Sequence, residues 1–388
     1  MQKKIYLDNS ATTRICDEAL EKYVEVSREI WGNPSSLHGM GFAAEGELKA
    51  AREALLRSLG AVGSTVVFTA SGSEANNLAI IGRATSKERY KRGAKIITTM
   101  GEHASVSSPL AYLEAMGYKI AYVPTTGGEI DMAVLERELT PDVILVTMMM
   151  VNNETGAVYD TAAVAKLIKK KCPDAALHVD ATQSYMKFPF TKAYSGADMI
   201  TVSSHKIEGP KGVGALIIDK EIMKKKDIAP IVFGGGQEGG LRSGTENVPA
   251  IAAFGEAIKI AEKSLRTNYA KLVSLRDYLI SSLEEKLPEI SITKPKKHSP
   301  HIVNITLPKI KSETMLHFLS SYGIYVSSGS ACSSNSSHKS SALVAFGRSE
   351  EEADYSIRVS LSHRNEKDDV DALIEALKIG LEKISRVR

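Results

Sequence analysis

Lys206 and Asp180 are residue types on which chemistry could be built. Lys206 stands in Ser203-Ser204-His205-Lys206, directly after the β-rich run Met199-Ile200-Thr201-Val202, and Asp180 closes the run Leu177-His178-Val179-Asp180. Both fall where a strand should stop, and in an open α/β sheet the carboxyl ends of the strands form the ligand crevice. An amine and a carboxylate delivered there can hold one flat aromatic between them. Pyridoxal phosphate asks for that pair, a lysine to form the Schiff base and an acid to keep the ring nitrogen protonated. The alternative is an interior salt bridge or two unrelated surface charges.

Further candidates cluster around other strand ends. Phe68-Thr69-Ala70-Ser71-Gly72-Ser73-Glu74 reads as a strand, a small-residue turn and a helix start. Such a turn lets backbone N–H groups approach a phosphate, with the partial positive charge of the helix end behind them. Ser73 could equally serve as a plain N-cap. His103 follows the run Lys95–Met100, and an imidazole there can stack on a ring or carry protons near neutral pH, or it can simply cap a helix. Gln183 and Asn153 also stand just past strand runs, suited to a ring oxygen or a turn. Arg358 lies inside the apolar strand Ser356-Ile357-Arg358-Val359-Ser360 and needs a carboxylate to offset desolvation; an amino-acid substrate or a protein acid could supply it.

The elements that must position these groups follow from periodicity. Short β-rich runs at Val66–Thr69, Lys95–Met100, Lys119–Val123, Val143–Val151, Ala176–Asp180, Met199–Ser203 and Gly214–Ile218 alternate with helical stretches, the pattern of a largely parallel sheet with crossover helices. Leu48, Ala51, Leu55, Leu56 and Leu59 predict a helix that Gly60 terminates. Gly209-Pro210-Lys211-Gly212-Val213-Gly214 lacks the Gly-Lys-Ser/Thr ending of a phosphate loop and reads as a turn between strands. A Gly-rich loop over 234–245 precedes a long helix from about Val248 to Leu287, ended by Pro288. Shorter elements follow: strands at Ile302–Leu307, Ile324–Ser327 and Ile357–Ser360, a helix around Leu316, and a closing amphipathic helix through Leu373 and Leu377. The expected class is therefore α/β, with a mostly parallel large domain over 15–257 and a smaller α+β domain made of 1–14 plus 258–388.

Composition narrows the function classes. A chain of 388 residues with 43% hydrophobic and 24% charged residues can build a large core and suits an ordinary enzyme. A net charge of +3 is too small to argue for nucleic acid or an anionic membrane as partner. No apolar stretch approaches a membrane span and Met1-Gln2-Lys3-Lys4-Ile5 lacks a secretory core, so a cytoplasmic location is expected. Three cysteines, Cys16, Cys172 and Cys332, are too scattered for a disulfide framework or a zinc site, and no metal is expected. Cys332 sits in Ser327–Ser341, nine of whose fifteen residues are Ser, a composition that predicts a mobile loop.

As an ordered set these stretches resemble the cysteine desulfurases of the class V aminotransferase family, with the fold-type I pyridoxal-phosphate architecture. The resemblance rests on Tyr6-Leu7-Asp8-Asn9-Ser10-Ala11-Thr12-Thr13, Gly32-Asn33-Pro34-Ser35-Ser36-Leu37-His38, Glu102-His103, Val151-Asn152-Asn153-Glu154-Thr155-Gly156, His178-Val179-Asp180-Ala181-Thr182-Gln183-Ser184, His205-Lys206-Ile207-Glu208-Gly209-Pro210-Lys211-Gly212, Arg242-Ser243-Gly244-Thr245 and Ser327-Ser328-Gly329-Ser330-Ala331-Cys332.

What it implies is specific. Lys206 would hold the cofactor as a Schiff base, Asp180 would pair with the ring nitrogen, Gln183 would bind the ring oxygen and His103 would stack above the ring. Gly72, Ser73, Ser203 and His205 would grip the phosphate, with Thr245 reaching in from the neighbouring subunit of a homodimer with shared active sites. Arg358 would anchor the substrate carboxylate, with Asn153 beside it. Cys332 would attack the sulfur of L-cysteine, leaving L-alanine and a persulfide that the loop carries to an acceptor or scaffold protein, for iron–sulfur assembly or another sulfur-requiring pathway.

The chain departs from the usual pattern in its phosphate turn, at Glu208, and after Cys332, where the run is Ser-rich and relatives often carry apolar residues and a proline. Its phosphate turn reads Thr69-Ala70-Ser71-Gly72-Ser73-Glu74 where relatives carry Thr-Ser-Gly-Gly/Ala-Thr-Glu, and Glu208 replaces a frequent aromatic. A selenocysteine lyase, an aminotransferase or a different β-eliminating lyase of the same fold, and a non-catalytic sulfur-carrier or scaffold subunit, stay open as alternatives at this point.

Overall fold

The computed structural model describes residues 4–86, 94–328 and 341–385. Its centre is a seven-stranded sheet made of β2 (Thr65–Thr69), β3 (Lys95–Thr99), β4 (Lys119–Val123), β5 (Val143–Met149), β6 (Ala176–Asp180), β7 (Met199–Ser203) and β8 (Gly214–Ile218), in spatial order β2-β8-β7-β6-β5-β3-β4. Every pairing from β7 to β4 is parallel, while β8 runs against both β7 and β2. The antiparallel β7–β8 step is possible because the Gly209–Gly212 turn returns the chain directly, with no crossover helix. All seven runs expected from β-branched patterning are strands, each ending within a residue or two of its expected limit.

Alternation along each strand divides the apolar side chains between two layers. Phe68, Ile97, Val146, Met148, Val179, Ile200 and Ile217 face a core closed by α1 (Asp17–Glu29), α2 (Gly39–Ser58), α5 (Thr161–Lys171) and the start of α6 (Val248–Lys286). Val67, Ile96, Leu145, Ala176, Met199 and Leu216 face α3 (Gly72–Thr85) and α4 (Ala104–Ala115), through Leu78, Val106 and Leu110. On β6 the same alternation turns His178 and Asp180 toward α3, because they share the face of Ala176. Met148, Met149 and Met150 are buried and fill core space.

The long helix joins two cores. Ile251, Phe254 and Ile258 belong to the first, whereas Leu272, Leu275, Leu279 and Leu283 belong to another that also contains Ile5, Leu7, Ile305, Leu319, Ile357 and Leu377. This second core lies on a four-stranded sheet ordered β12-β13-β10-β9, built from β9 (Ser291–Thr293), β10 (Ile302–Thr306), β12 (Ser327–Ser328) and β13 (Ser356–Ser360), with α7 (Ser312–Ser321) and α8 (Lys367–Ser385). β1 (Ile5–Tyr6) pairs in parallel with β11 (Ile324–Tyr325), which ties the N-terminus to this part of the chain.

Two expectations need correcting. The single strand expected over Ile324–Ser327 is two strands in different sheets, since Val326 interrupts it and Ser327 pairs instead with Arg358. Ser327–Ser328 and Ser341, expected as the two ends of a Ser-rich loop, belong instead to a strand paired with β13 and to a helix that begins at Ser341. Cys332 and the proposed mobility of its loop lie outside the described residues. Among the described residues no helix is long and apolar enough to cross a membrane.

Candidate active site

A cavity of about 370 Å³ opens at the carboxyl ends of β5, β6 and β7. Its walls bring together Gly72, Ser73, His103, Asn153, Asp180, Gln183, Ser203, His205, Lys206 and Arg358, with Asp8, Ser105 and Thr182 among the further contributors. Residues far apart in the chain meet here because β6 lies beside both β5 and β7.

Lys206 leaves a short 3-10 turn, Ser204–Lys206, immediately after β7. Its Nζ donates to the carbonyls of Ser10 at 2.5 Å and Ala11 at 2.8 Å. The segment carrying those carbonyls is strapped to the same turn: Thr13 donates through both N and Oγ1 to the His205 carbonyl, and Glu208 N donates to Thr13 Oγ1. Asp180 is held from two sides, accepting from Thr182 N at 2.9 Å on Oδ1 and from Asn76 Nδ2 at 2.8 Å on Oδ2.

The anion end is built on α3. Ser71, not Ser73, is the N-cap, and its Oγ accepts from Glu74 N at 3.1 Å, which leaves Ser73 in the first turn facing the cavity. Gly72 sits so close to Ser203 that a Cβ there would come 3.1 Å from Ser203 Cβ. At Gly214 a Cβ would lie 2.6 Å from Ser71 C and 2.7 Å from Gly72 N, so β8 backs this turn only because it starts with glycine. Glu74 steadies the turn further, accepting from Ala70 N and pairing with Arg242 at 2.7 Å.

His103 is both a helix cap and a cavity residue. Its Nδ1 receives the Ser105 N–H at the start of α4. Burial lowers its pKa, Asp180 acts the other way, and Lys206 and Arg358 add to the lowering. Burial and the cations of Lys206, Lys211 and Lys187 push His205 down to about 4, while its Nδ1 contacts Thr12 Oγ1 at 3.1 Å. Both imidazoles are neutral near pH 7. Behind them, His178 bridges Thr147 and Thr201 across the sheet at 2.8 and 2.9 Å and is held near 4 by burial.

Gln183 donates through Nε2 to the Ser10 carbonyl at 2.9 Å, and its buried Oε1 has no partner. Asn153 reaches Arg358 through its main-chain carbonyl, which accepts from Nη1 at 3.0 Å. Arg358 Nη2 pairs with Asp8 Oδ1 at 3.0 Å, and its buried Nε has no partner. The protein acid and the cavity position are therefore found together at this arginine. Thr245 is exposed in its loop and does not line this cavity.

Four residues here carry no role in the sequence reading: Asp8, Asn76, Ser105 and Glu102. Asp8 lies in a stretch singled out by sequence, yet nothing local signals that it pairs with a strand 350 positions away. Glu102 accepts from Thr99 Oγ1 and from Met149 N, its Oε2 is buried without a partner, and burial pushes its carboxyl up to about 8.

The donor set fits pyridoxal phosphate. A glycine-floored helix N-terminus suits the phosphate, a doubly braced carboxylate suits the ring nitrogen, and an amine stands across the same cavity. Fold and site together define a fold-type I pyridoxal-phosphate enzyme. The chain belongs to the aminotransferase class-V family, whose model matches residues 5–373. It is 36% identical to cysteine desulfurase IscS 1 of Archaeoglobus fulgidus over 98% of this chain and 97% of that one. It is 35% identical to cysteine desulfurase IscS of Dictyoglomus turgidum over 100% and 97%. Among solved structures, a NifS-like protein superposes with a TM-score of 0.89 at 36% identity, covering 99% of this chain and 100% of that one. SspA in complex with cysteine gives a TM-score of 0.79 at 31% identity over 93% and 99%.

Proposed function

We propose that this chain is a pyridoxal-phosphate-dependent cysteine desulfurase that converts L-cysteine to L-alanine and takes the sulfur onto Cys332 as a persulfide. The observation that carries the reading is one cavity lined by Lys206, Asp180 and Arg358, from the turn after β7, the end of β6 and the separate sheet of β13. When bound, the cofactor supplies an electron sink that acidifies the substrate Cα and labilises its C–S bond.

The chain's own groups do the rest. Arg358 receives the substrate carboxylate beside Asn153 and orients the amino acid. Lys206 holds the cofactor between turnovers and moves the proton at Cα when released from it. Asp180 would keep the ring nitrogen protonated, Gln183 would contact the ring oxygen, and His103 would cover the ring as a neutral imidazole. Gly72, Ser73, Ser203 and His205 would hold the phosphate. The Cys332 thiolate attacks the substrate sulfur: an S–S bond forms, the C–S bond breaks with its electron pair passing to carbon, and that carbon takes a proton to give alanine.

The same reading extends to partners. Leu37 is 91% exposed, Phe233 81% and Trp31 67%, apolar side chains of the kind a second copy would cover, and that copy would bring its Thr245 to this cavity. The division into 15–257 and 1–14 plus 258–388 belongs to this proposal, as does delivery of sulfur to an acceptor or scaffold protein for iron–sulfur assembly.

The test is to follow alanine and sulfide formation from L-cysteine alongside the visible spectrum. Cys332→Ala should retain the cofactor spectrum and lose sulfide release; release at the full rate in that variant would refute the persulfide step.

A further inference from the structure

Asn76 lies on α3, is 1% exposed, and commits both hydrogens of its amide. One goes to Asp180 Oδ2 at 2.8 Å and the other to Ser105 Oγ at 2.8 Å. Its Oδ1 is buried and has no partner. Buried amide oxygens are normally satisfied, so the nitrogen side dictates this orientation. Turning the amide over would set Oδ1 against a carboxylate oxygen, two acceptors face to face.

The direction of hydrogen bonding then propagates. Ser105 Oγ accepts from Asn76, so its own hydrogen is available to His103 Nδ1, 2.8 Å away. The Ser105 backbone N–H reaches that same nitrogen at 3.1 Å. A ring nitrogen facing two donors must offer its lone pair, and a neutral imidazole so placed carries its hydrogen on Nε2.

We propose that Asn76 is a positioning residue that orients the Asp180 carboxylate and, through Ser105, fixes His103 as the Nε2–H tautomer. This rests on the reading of Asp180 and His103 as the ring contacts. The chain of bonds runs outward from one amide, so two contacts on different parts of the ring share one anchor. His103 then offers a donor and a neutral face, and the proton at Cα is left to Lys206. The charged groups facing this imidazole are Asp180, Lys206 and Arg358, and burial already disfavours its protonated form. Placing a proton on Nδ1 would further require both Ser105 donors to turn away.

The experiment uses full-length protein loaded with pyridoxal phosphate and labelled with 15N-histidine, the His103 signals being assigned with His103→Gln. The expected result is the Nε2–H tautomer in the unaltered protein. Ser105→Ala removes one donor and should raise the His103 pKa by about one unit, the equivalent of one ordinary hydrogen bond. Asn76→Ala releases the Ser105 hydroxyl to rotate away from Nδ1, should raise the His103 pKa in the same direction, and should also shift the pH titration of the bound cofactor's absorbance. Ser105→Thr should restore the original titration. An Nδ1–H tautomer in the unaltered protein, or an unchanged His103 titration in both alanine variants, would overturn the proposal. Alanine formation from L-cysteine is measured separately. Activity with the wrong tautomer overturns only this network, whereas the right tautomer without activity overturns only the desulfurase reading.

Discussion

Arg358 and Asp8 form one ion pair, and the reading of the cavity predicts that they act on substrate binding with opposite signs. Arg358 is 5% exposed and gives one donor to the Asn153 carbonyl and one to Asp8, each at 3.0 Å. A hydrogen bond to a charged group contributes about 1.5–3 kcal/mol, so a bidentate carboxylate is held by about 3–6 kcal/mol. The substrate meets a guanidinium already partnered, which favours the lower end. Arg358→Ala should therefore raise KM for L-cysteine by about a hundredfold at about 1.4 kcal/mol per decade. It also leaves the Asp8 carboxylate unpaired at the cavity wall, where it repels the incoming anion. Asp8→Asn keeps an oxygen for Nη2 but deletes the competing charge. Its expected effect is a KM several-fold lower, with a modest loss of thermal stability from the weakened pair. Steady-state alanine formation over a range of L-cysteine, with circular dichroism to verify folding, decides the matter. If both variants move KM in the same direction, the pair is a strut between the sheet and the N-terminal segment, and the carboxylate binds elsewhere.

Glu102 ionises near 4.5 when unfolded and near 8 when folded, so between those values the unfolded state sheds a proton that the folded state keeps. Stability falls as pH rises through that window and levels off above it. Glu102→Gln should therefore be more stable than the parent by on the order of 3 kcal/mol at pH 8 and by little at pH 4.5; a gain of equal size at both pH values in urea unfolding would sink the argument. At Gly214, a Cβ would press on the Ser71–Gly72 backbone, and Gly214→Ala should cost about 1–3 kcal/mol of stability by overpacking. The same variant should shed pyridoxal phosphate on gel filtration, and parental cofactor content after that step would show that β8 does not support the turn.

Chemistry that depends on the end of a regular element is legible in the sequence. Lys206 and His103 follow runs of β-formers and Asp180 closes one, and strand ends in this class of sheet open on one crevice. His103 caps α4 through Nδ1 and also lines the cavity, so a capping role does not remove the imidazole from the site. At Ser71 and Ser73 the cap went to the other serine, a choice of two positions that propensity alone does not make. Asp8 and Asn76 carried no local signal, because their partners lie 350 and 104 positions away.

The amino-acid order by itself determined that β-rich runs would alternate with helices, where each run would stop, and that an amine, an acid and a guanidinium would stand at or within them. These are local matters, governed by side-chain shape and by periods of about two and 3.6 residues. Which groups meet was decided by strand order and register. The adjacency of β6 to β7, the crossing of Arg358 from a second sheet, and the amide of Asn76 beneath Asp180 are all contacts between distant segments. Side-chain partners at that range exist only once the chain is packed, so no local pattern can specify them.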